Sequence, residues 1–328
     1  MSSVLEIASP RDAIPARGVD LHSSIRLRCP VCKGNLSEER RCTSCNFLMK
    51  EKDGIVLGLA PGRLSYYAAF IADYEQIRAA EGRGSLDKSY YLALPHQDTT
   101  GNNSSQWKIR ARSYDYLVRR VLNSSANGET VLDLGAGNCW LSFQLARRGY
   151  RPVAVDLITN SQDGLGAATH YHHELGSSIP RVQAELNCLP FQGEQFDVVI
   201  FNASLHYSED YEVTLREAFR CLKSEGLLVI SDTPWYSREE SGKQMIAERR
   251  AHFRDRFCTA SDSVESQEFL TDERLRSLAE ALSIRWTVHR PWYGWRWAMR
   301  PWVARLRKRR EPSKFRIYVT RKDARRSR

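Results

Sequence analysis

The chain has 328 residues, room for one large domain or two smaller ones at ~100–200 residues each. Hydrophobic residues make up 42% and charged residues 27%. That balance provides for a sizeable core and excludes collagen-like or wholly disordered chains. No apolar run approaches the ~20 residues that cross a bilayer, and the N-terminal stretch lacks the apolar segment of a secretory signal, so a cytoplasmic protein is expected. The net charge of +10 is uneven. Residues 285–328 hold 16 Lys and Arg against two acidic residues, leaving 33 against 37 for residues 1–284. A slightly acidic body with a basic, Trp-rich end suggests an acidic surface as a partner.

Residues 1–24 show no periodicity and read as a flexible tail. The next segment, 25–62, carries Cys29-Pro-Val-Cys32 and, after nine residues, Cys42-Thr-Ser-Cys45. Two such knuckles can aim four thiolates at one tetrahedral Zn²⁺. Filled by cysteine at every position, the site is closed, so its metal is expected to be structural and to contribute folding energy to a small ribbon. The segment resembles the short zinc-ribbon proteins related to the small activator subunit of eukaryotic tRNA and translation-factor methyltransferases. Phe47-Leu48-Met49 stands where those commonly have Tyr-Pro-Val. Bracing a neighbour and touching a substrate are both open roles.

Apolar spacing predicts helices over 63–80 and 104–122, within a lid or linker region spanning 63–125. Asn123–Gly128 is a turn cluster. From 126 to 320 strands and helices alternate. Strands are expected at Val131–Leu134, Pro152–Val155, Val182–Ala184, Asp197–Phe201, Leu227–Ile230, Ile284–His289 and Lys314–Thr320, with helices at 140–148, 211–222, 237–257 and 271–282. Alternation with apolar strands such as Asp197-Val-Val-Ile-Phe201 argues a doubly wound, mostly parallel α/β sheet. Residues 321–328 form a basic tail.

The most informative stretch is Val131-Leu-Asp-Leu-Gly135-Ala-Gly137-Asn-Cys139-Trp140, a strand running into a Gly-x-Gly turn that lets backbone approach a ligand. Asp156 ends the next strand, where an acid can accept both hydroxyls of a ribose. Ala184-Glu185-Leu186 and Asn202 follow at later strand ends. In this order the pieces resemble class I S-adenosylmethionine-dependent methyltransferases, the methyltransferase type 11 group. The resemblance implies a seven-stranded Rossmann-like sheet. It puts Asp133, Gly135, Ala136 and Gly137 beside the amino-acid part of the cofactor, Asp156 on its ribose, and Glu185 with the Leu186 amide at its adenine. Asn202 falls where methyl group and acceptor meet. Cys139 replaces a frequent third glycine.

His206 is a candidate general base if it titrates near neutrality, against a simpler packed histidine. The His170–His173 cluster reads as a solvated helix face rather than a metal site. Tyr90–Trp107 is expected to fold over the cofactor, and the Trp/Arg-rich insertion 291–312 to meet the substrate. Interleaved Trp and Arg suit base stacking with phosphate contacts, an interfacial lipid anchor, or local cation–π packing. Bacterial 23S rRNA guanine-N1 methyltransferases resemble the chain in joining an N-terminal four-ligand zinc site to this kind of domain, with different spacing of the last two ligands. The expected function is methyl transfer from S-adenosylmethionine to a small-molecule, lipid-like or RNA acceptor, in the cytoplasm or peripheral to a membrane. The competing reading is a non-catalytic cofactor-binding or RNA-binding partner protein.

Overall fold

The computed structural model describes residues 25–122 and 127–323. The expected N-terminal tail, part of the 123–128 turn cluster and the last residues of the basic tail lie outside that range. The Cys-rich segment ends in a hairpin: β1 (Glu51–Lys52) turns through Asp53 and Gly54, both left-handed at φ 52° and 70°, into β2 (Ile55–Leu57). Three helices follow, α1 (Pro61–Ala80), with proline at its start where no amide is needed, α2 (Lys88–Ala93), and α3 (Ser104–Arg120).

The alternating region then runs β3 (Thr130–Leu134), α4 (Trp140–Ala146), β4 (Arg151–Asp156), α5 (His172–Leu175), β5 (Arg181–Gln183), β6 (Phe196–Asn202), α6 (Tyr211–Cys221) and β7 (Leu222–Ser231). It closes with α7 (Glu239–Phe257), α8 (Asp272–Ala281), β8 (Thr287–His289), α9 (Trp295–Ala298), α10 (Arg300–Leu306) and β9 (Ile317–Arg321). Asp210 and Thr271 cap α6 and α8 by accepting from the Val213 and Arg274 amides, satisfying donors a helix start leaves open.

The sheet order is β1-β2-β5-β4-β3-β6-β7-β9-β8. Strands β2 to β7 pair in parallel, while β9 runs antiparallel to both β7 and β8. The expected doubly wound seven-stranded sheet is β3 to β9. It grows to nine strands because the ribbon hairpin adds to it, Val56 lying opposite Val182 in register. The physical reason is that β5 would otherwise be an open edge of unpaired backbone groups. The ribbon is held further by a bridge between Leu27 and Phe191 and an Arg28–Glu217 ion pair.

Side chains alternate between two cores, one on each face of the sheet. Leu132, Leu134, Val153, Val155, Val199 and Phe201 share one, and Val131, Ala154, Val198, Ile200 and Val229 the other. Burial on both faces is what makes these strands continuous apolar runs. Strand β8 is shorter than expected, because Ile284 and Trp286 pack against the core that holds Leu132 and Val199 before pairing begins. The histidine cluster is not a solvated helix face. Residues Leu165–Tyr171 form a tighter 3-10 turn, Tyr171 is buried, and His170 stacks on Tyr91 at 4.2 Å. His173 alone among its three histidines is exposed.

Candidate active site

The strand order reverses between β3 and β6, and a crevice opens there at the carboxyl ends of the strands. The turn after β3 is left-handed three times, at Gly135 (φ 75°), Gly137 (φ 53°) and Cys139 (φ 62°). A Cβ on Gly135 would stand 2.2 Å from the Ser204 Cβ, so that position admits glycine alone. Cys139 shows why glycine is frequent at the third place: its backbone is left-handed, and its buried thiol is tucked 3.7 Å from the Gly137 carbonyl.

Two carboxylates frame this turn. Asp133 is buried in the strand; its Oδ2 accepts from Ser142 Oγ at 2.7 Å, and its Oδ1 has no partner among the described residues. Burial pushes its carboxyl up to about 7. Asp156 accepts from the Gly137 amide at 2.8 Å and the Ile158 amide at 2.9 Å. Burial raises its carboxyl and those amides partly offset the rise.

A cavity of about 100 Å³ opens above them. Asp133, Gly135, Ala136, Gly137, Asp156, Leu186 and Asn202 line it. Glu185 does not. Its carboxylate accepts from Arg63 Nε at 2.7 Å and Tyr67 Oη at 3.2 Å, both on α1. Arg63 also reaches Glu209 at 3.0 Å, so α1 is latched over two strand-end loops. His206 is not a lining residue either. Its Nδ1 is buried without a partner among the described residues, its ring lies on Tyr207 at 4.3 Å, and burial pushes its imidazole down to about 4.

The roof differs from the expected one. Phe70, Tyr74 and Arg78 of α1 cover the cavity, together with Trp107 and Arg110 of α3. Tyr90 and Tyr91 instead join the core. Only Trp107 of the expected lid stretch lines the cavity, because α2 packs on the 3-10 turn and leaves the roof to its neighbours.

A further acid, not singled out in the sequence, sits where β7 ends. Asp232 is buried and left-handed (φ 54°). Its Oδ1 accepts from Ser113 Oγ, one turn along α3 from Arg110, and its Oδ2 has no partner among the described residues. Burial pushes its carboxyl up to about 6, with Arg110 acting against the rise. Ser113 also meets Tyr293 Oη at 2.8 Å, and the neighbouring Thr233 Oγ1 is buried with no partner among the described residues. Tyr293 thus ties the Trp/Arg-rich segment to α3, whose Trp107 and Arg110 line the cavity. The available signal was position: Asp232 ends an apolar strand as Asp156 does.

The four cysteines converge. Their sulfur atoms all lie within 4.8 Å of one another, with Cys29–Cys45 at 3.5 Å and Cys32–Cys42 at 3.3 Å. Tetrahedral zinc with bonds of ~2.3 Å requires sulfurs ~3.8 Å apart, so the set fits such an ion. The Ser44 and Cys45 amides each point at Cys42 Sγ, 3.4 Å away, as donors to a thiolate would.

Residues 132–230 match the family described as Methyltransferase domain. The chain is 34% identical over 154 residues to a demethylmenaquinone methyltransferase of Corynebacterium efficiens, covering 46% of this chain and 63% of that protein. It is 27% identical over 161 residues to a ubiquinone biosynthesis O-methyltransferase of Xylella fastidiosa, covering 49% and 63%. The match therefore spans less than two thirds of either relative. Among solved structures, Haemonchus contortus phosphoethanolamine N-methyltransferase 2 in complex with S-adenosyl-L-methionine is 15% identical with a TM-score of 0.48, covering 73% of this chain and 61% of that one.

Proposed function

We propose, from the match of residues 132–230 to the family described as Methyltransferase domain, that the chain transfers a methyl group from S-adenosylmethionine to a small, lipid-like acceptor. The observation that carries this is the buried Asp133 Oδ1, which has no partner among the described residues and belongs to a side chain lining the cavity beside Gly135. A buried acceptor without a donor is a position a ligand completes. The ammonium of the cofactor's amino-acid part is such a donor. Asp156 lies where ribose hydroxyls need acceptors, Leu186 supplies an apolar wall for the adenine, and Glu185 fastens the roof through Arg63.

When bound, S-adenosylmethionine supplies a methyl group already activated on a sulfonium. The protein's work is then alignment and exclusion of water. Phe70, Tyr74, Trp107 and Tyr207 give the cavity aromatic walls, which suit an apolar acceptor. The names of the two relatives point to quinone pathways and support the same class. Asn202 ends β6 inside the cavity and is placed to hold the acceptor. Neither Asp232 nor His206 lines the cavity, and burial weakens the His206 imidazole as a base, so proton removal is assigned to neither. The four cysteines would hold one structural Zn²⁺ and brace the sheet edge.

The test is label transfer from methyl-labelled S-adenosylmethionine into fractionated cell extract, with Asp133→Asn as control. Label in the organic-solvent fraction that depends on Asp133 supports the reading. Label in RNA replaces the acceptor class, and absence of cofactor binding by calorimetry overturns the reading.

A further inference from the structure

Helices α9 and α10 are separated by Met299 alone, and hydrogen bonds run through the junction. Met299 N donates to Trp295 O at 3.0 Å, Val303 N to Met299 O at 3.0 Å, and Arg307 N to Val303 O at 3.1 Å. Residues 295–306 therefore act as one helical run. One side is packed: Trp297 stacks on Phe315 at 5.5 Å, with the Arg300 guanidinium over it at 3.8 Å.

The other side is apolar and open to water. Trp295, Met299, Trp302 and Leu306, spaced i, i+4, i+7 and i+11, are 77%, 45%, 58% and 65% exposed. Trp292 extends the stripe, edge-on to Trp295 at 5.1 Å. A surface helix ordinarily turns its apolar stripe to the core; this one turns it outward, and a contiguous exposed stripe marks a binding face. Residues 290–310 also contain eight Lys and Arg and no acid. Arg296, Arg307, Lys308 and Arg309 line a groove beside the helix. Its one carboxylate, Glu248, is already paired with Arg310 at 2.6 Å, so the remaining cations are in excess.

We propose that this helix is a docking surface for an anionic lipid membrane, lying in the interface with its stripe at the acyl boundary and its cations among the phosphates. Charge complementarity names the occupant's sign, and the stripe names its nature. Single-stranded nucleic acid is gripped by aromatic rings that stack on bases. Here Met299 and Leu306 continue the tryptophan stripe as aliphatic surface, which bases do not use and acyl chains do. Tyr293, just ahead of the helical run, touches Ser113 of α3, the helix whose Trp107 and Arg110 line the cavity, which ties the docking face to the cavity roof.

The experiment is vesicle flotation of the full chain without cofactor or acceptor, so it reads docking independently of methyl transfer. Vesicles of equimolar phosphatidylglycerol and phosphatidylcholine are compared with phosphatidylcholine alone, at low and high salt. Binding to the anionic vesicles, weakened by salt and accompanied by a blue shift of tryptophan emission, is expected. The triple variant Trp295→Ser, Trp302→Ser, Leu306→Ser should lose about tenfold or more in partitioning, with its melting temperature and cofactor affinity unchanged. Equal partitioning of variant and parent overturns the proposal. So does absence of vesicle binding together with tight binding of a single-stranded RNA oligonucleotide that the variant loses.

Discussion

Ser113 Oγ donates to the buried Asp232 Oδ1 across the gap between α3 and the end of β7, and the same hydroxyl meets Tyr293. Three segments far apart in the chain thereby fix one carboxylate, while its second oxygen has no partner among the described residues. The folded pKa of about 6 lies above the ordinary 3.8. The folded state thus holds a proton that the unfolded chain has released. The associated stability is fully present below about 4 and is lost as pH rises to about 6. Asp232→Asn should therefore gain in melting temperature relative to the parent across that window. Differential scanning of both proteins against pH checks this.

Cofactor affinity should depend on pH through Asp133. Burial holds this carboxyl near 7 when the cavity is empty, and only its ionised form attracts an ammonium. Affinity for S-adenosylhomocysteine should be highest above about pH 7 and fall up to tenfold per unit below it. Asp133→Asn should bind weakly and lack that slope. Titration calorimetry across the range reads both proteins; a parental affinity flat from acid to alkaline pH would contradict the role given to Asp133.

Gly135→Ala places a Cβ 2.2 Å from the Ser204 Cβ on a backbone at φ 75°. The expected loss is roughly 2–5 kcal/mol, part steric and part conformational. Adding Ser204→Gly should recover only the steric part, since the left-handed backbone remains. Thermal melts of the single and double variants separate the two.

Removing zinc should loosen more than the ribbon. Cys29 and Cys42 are buried, and the hairpin that follows them forms the sheet edge beside β5. Cys42→Ser should abolish zinc in metal analysis and lower Tm by more than about 5 °C, as each ~1 kcal/mol is worth roughly 2–4 °C at this size. Hydrogen exchange should accelerate at Val182 and Gln183, which pair with β2. Unchanged protection there would show that the ribbon is an appendage.

The strands and the glycine turn were legible because their signals are local. Val131–Leu134 and Asp197–Phe201 are apolar on both faces, and a strand covered on both sides must be. The roof was less legible. Tyr90 and Tyr91 look like lid residues in a polar stretch, yet both are buried in the core. Phe70 and Tyr74, which roof the cavity, lie in a helix with no marked apolar face. Glu185 stands where an adenine contact is expected, and its carboxylate is taken by Arg63, 122 positions away.

The sequence by itself determined the doubly wound sheet, the order of its strand-end acids and the knuckles that gather four cysteines, since each follows from periodicity or spacing within a few residues. Tertiary structure alone decided which strand the ribbon extends, which helices roof the cavity, that burial raises the Asp232 carboxyl and lowers the His206 imidazole, and that the Trp295–Leu306 stripe faces outward. Those outcomes depend on burial and on partners brought from distant parts of the chain. The free energy of an ionised group or an exposed apolar face is set by its neighbours in space, and spacing along the chain does not record them.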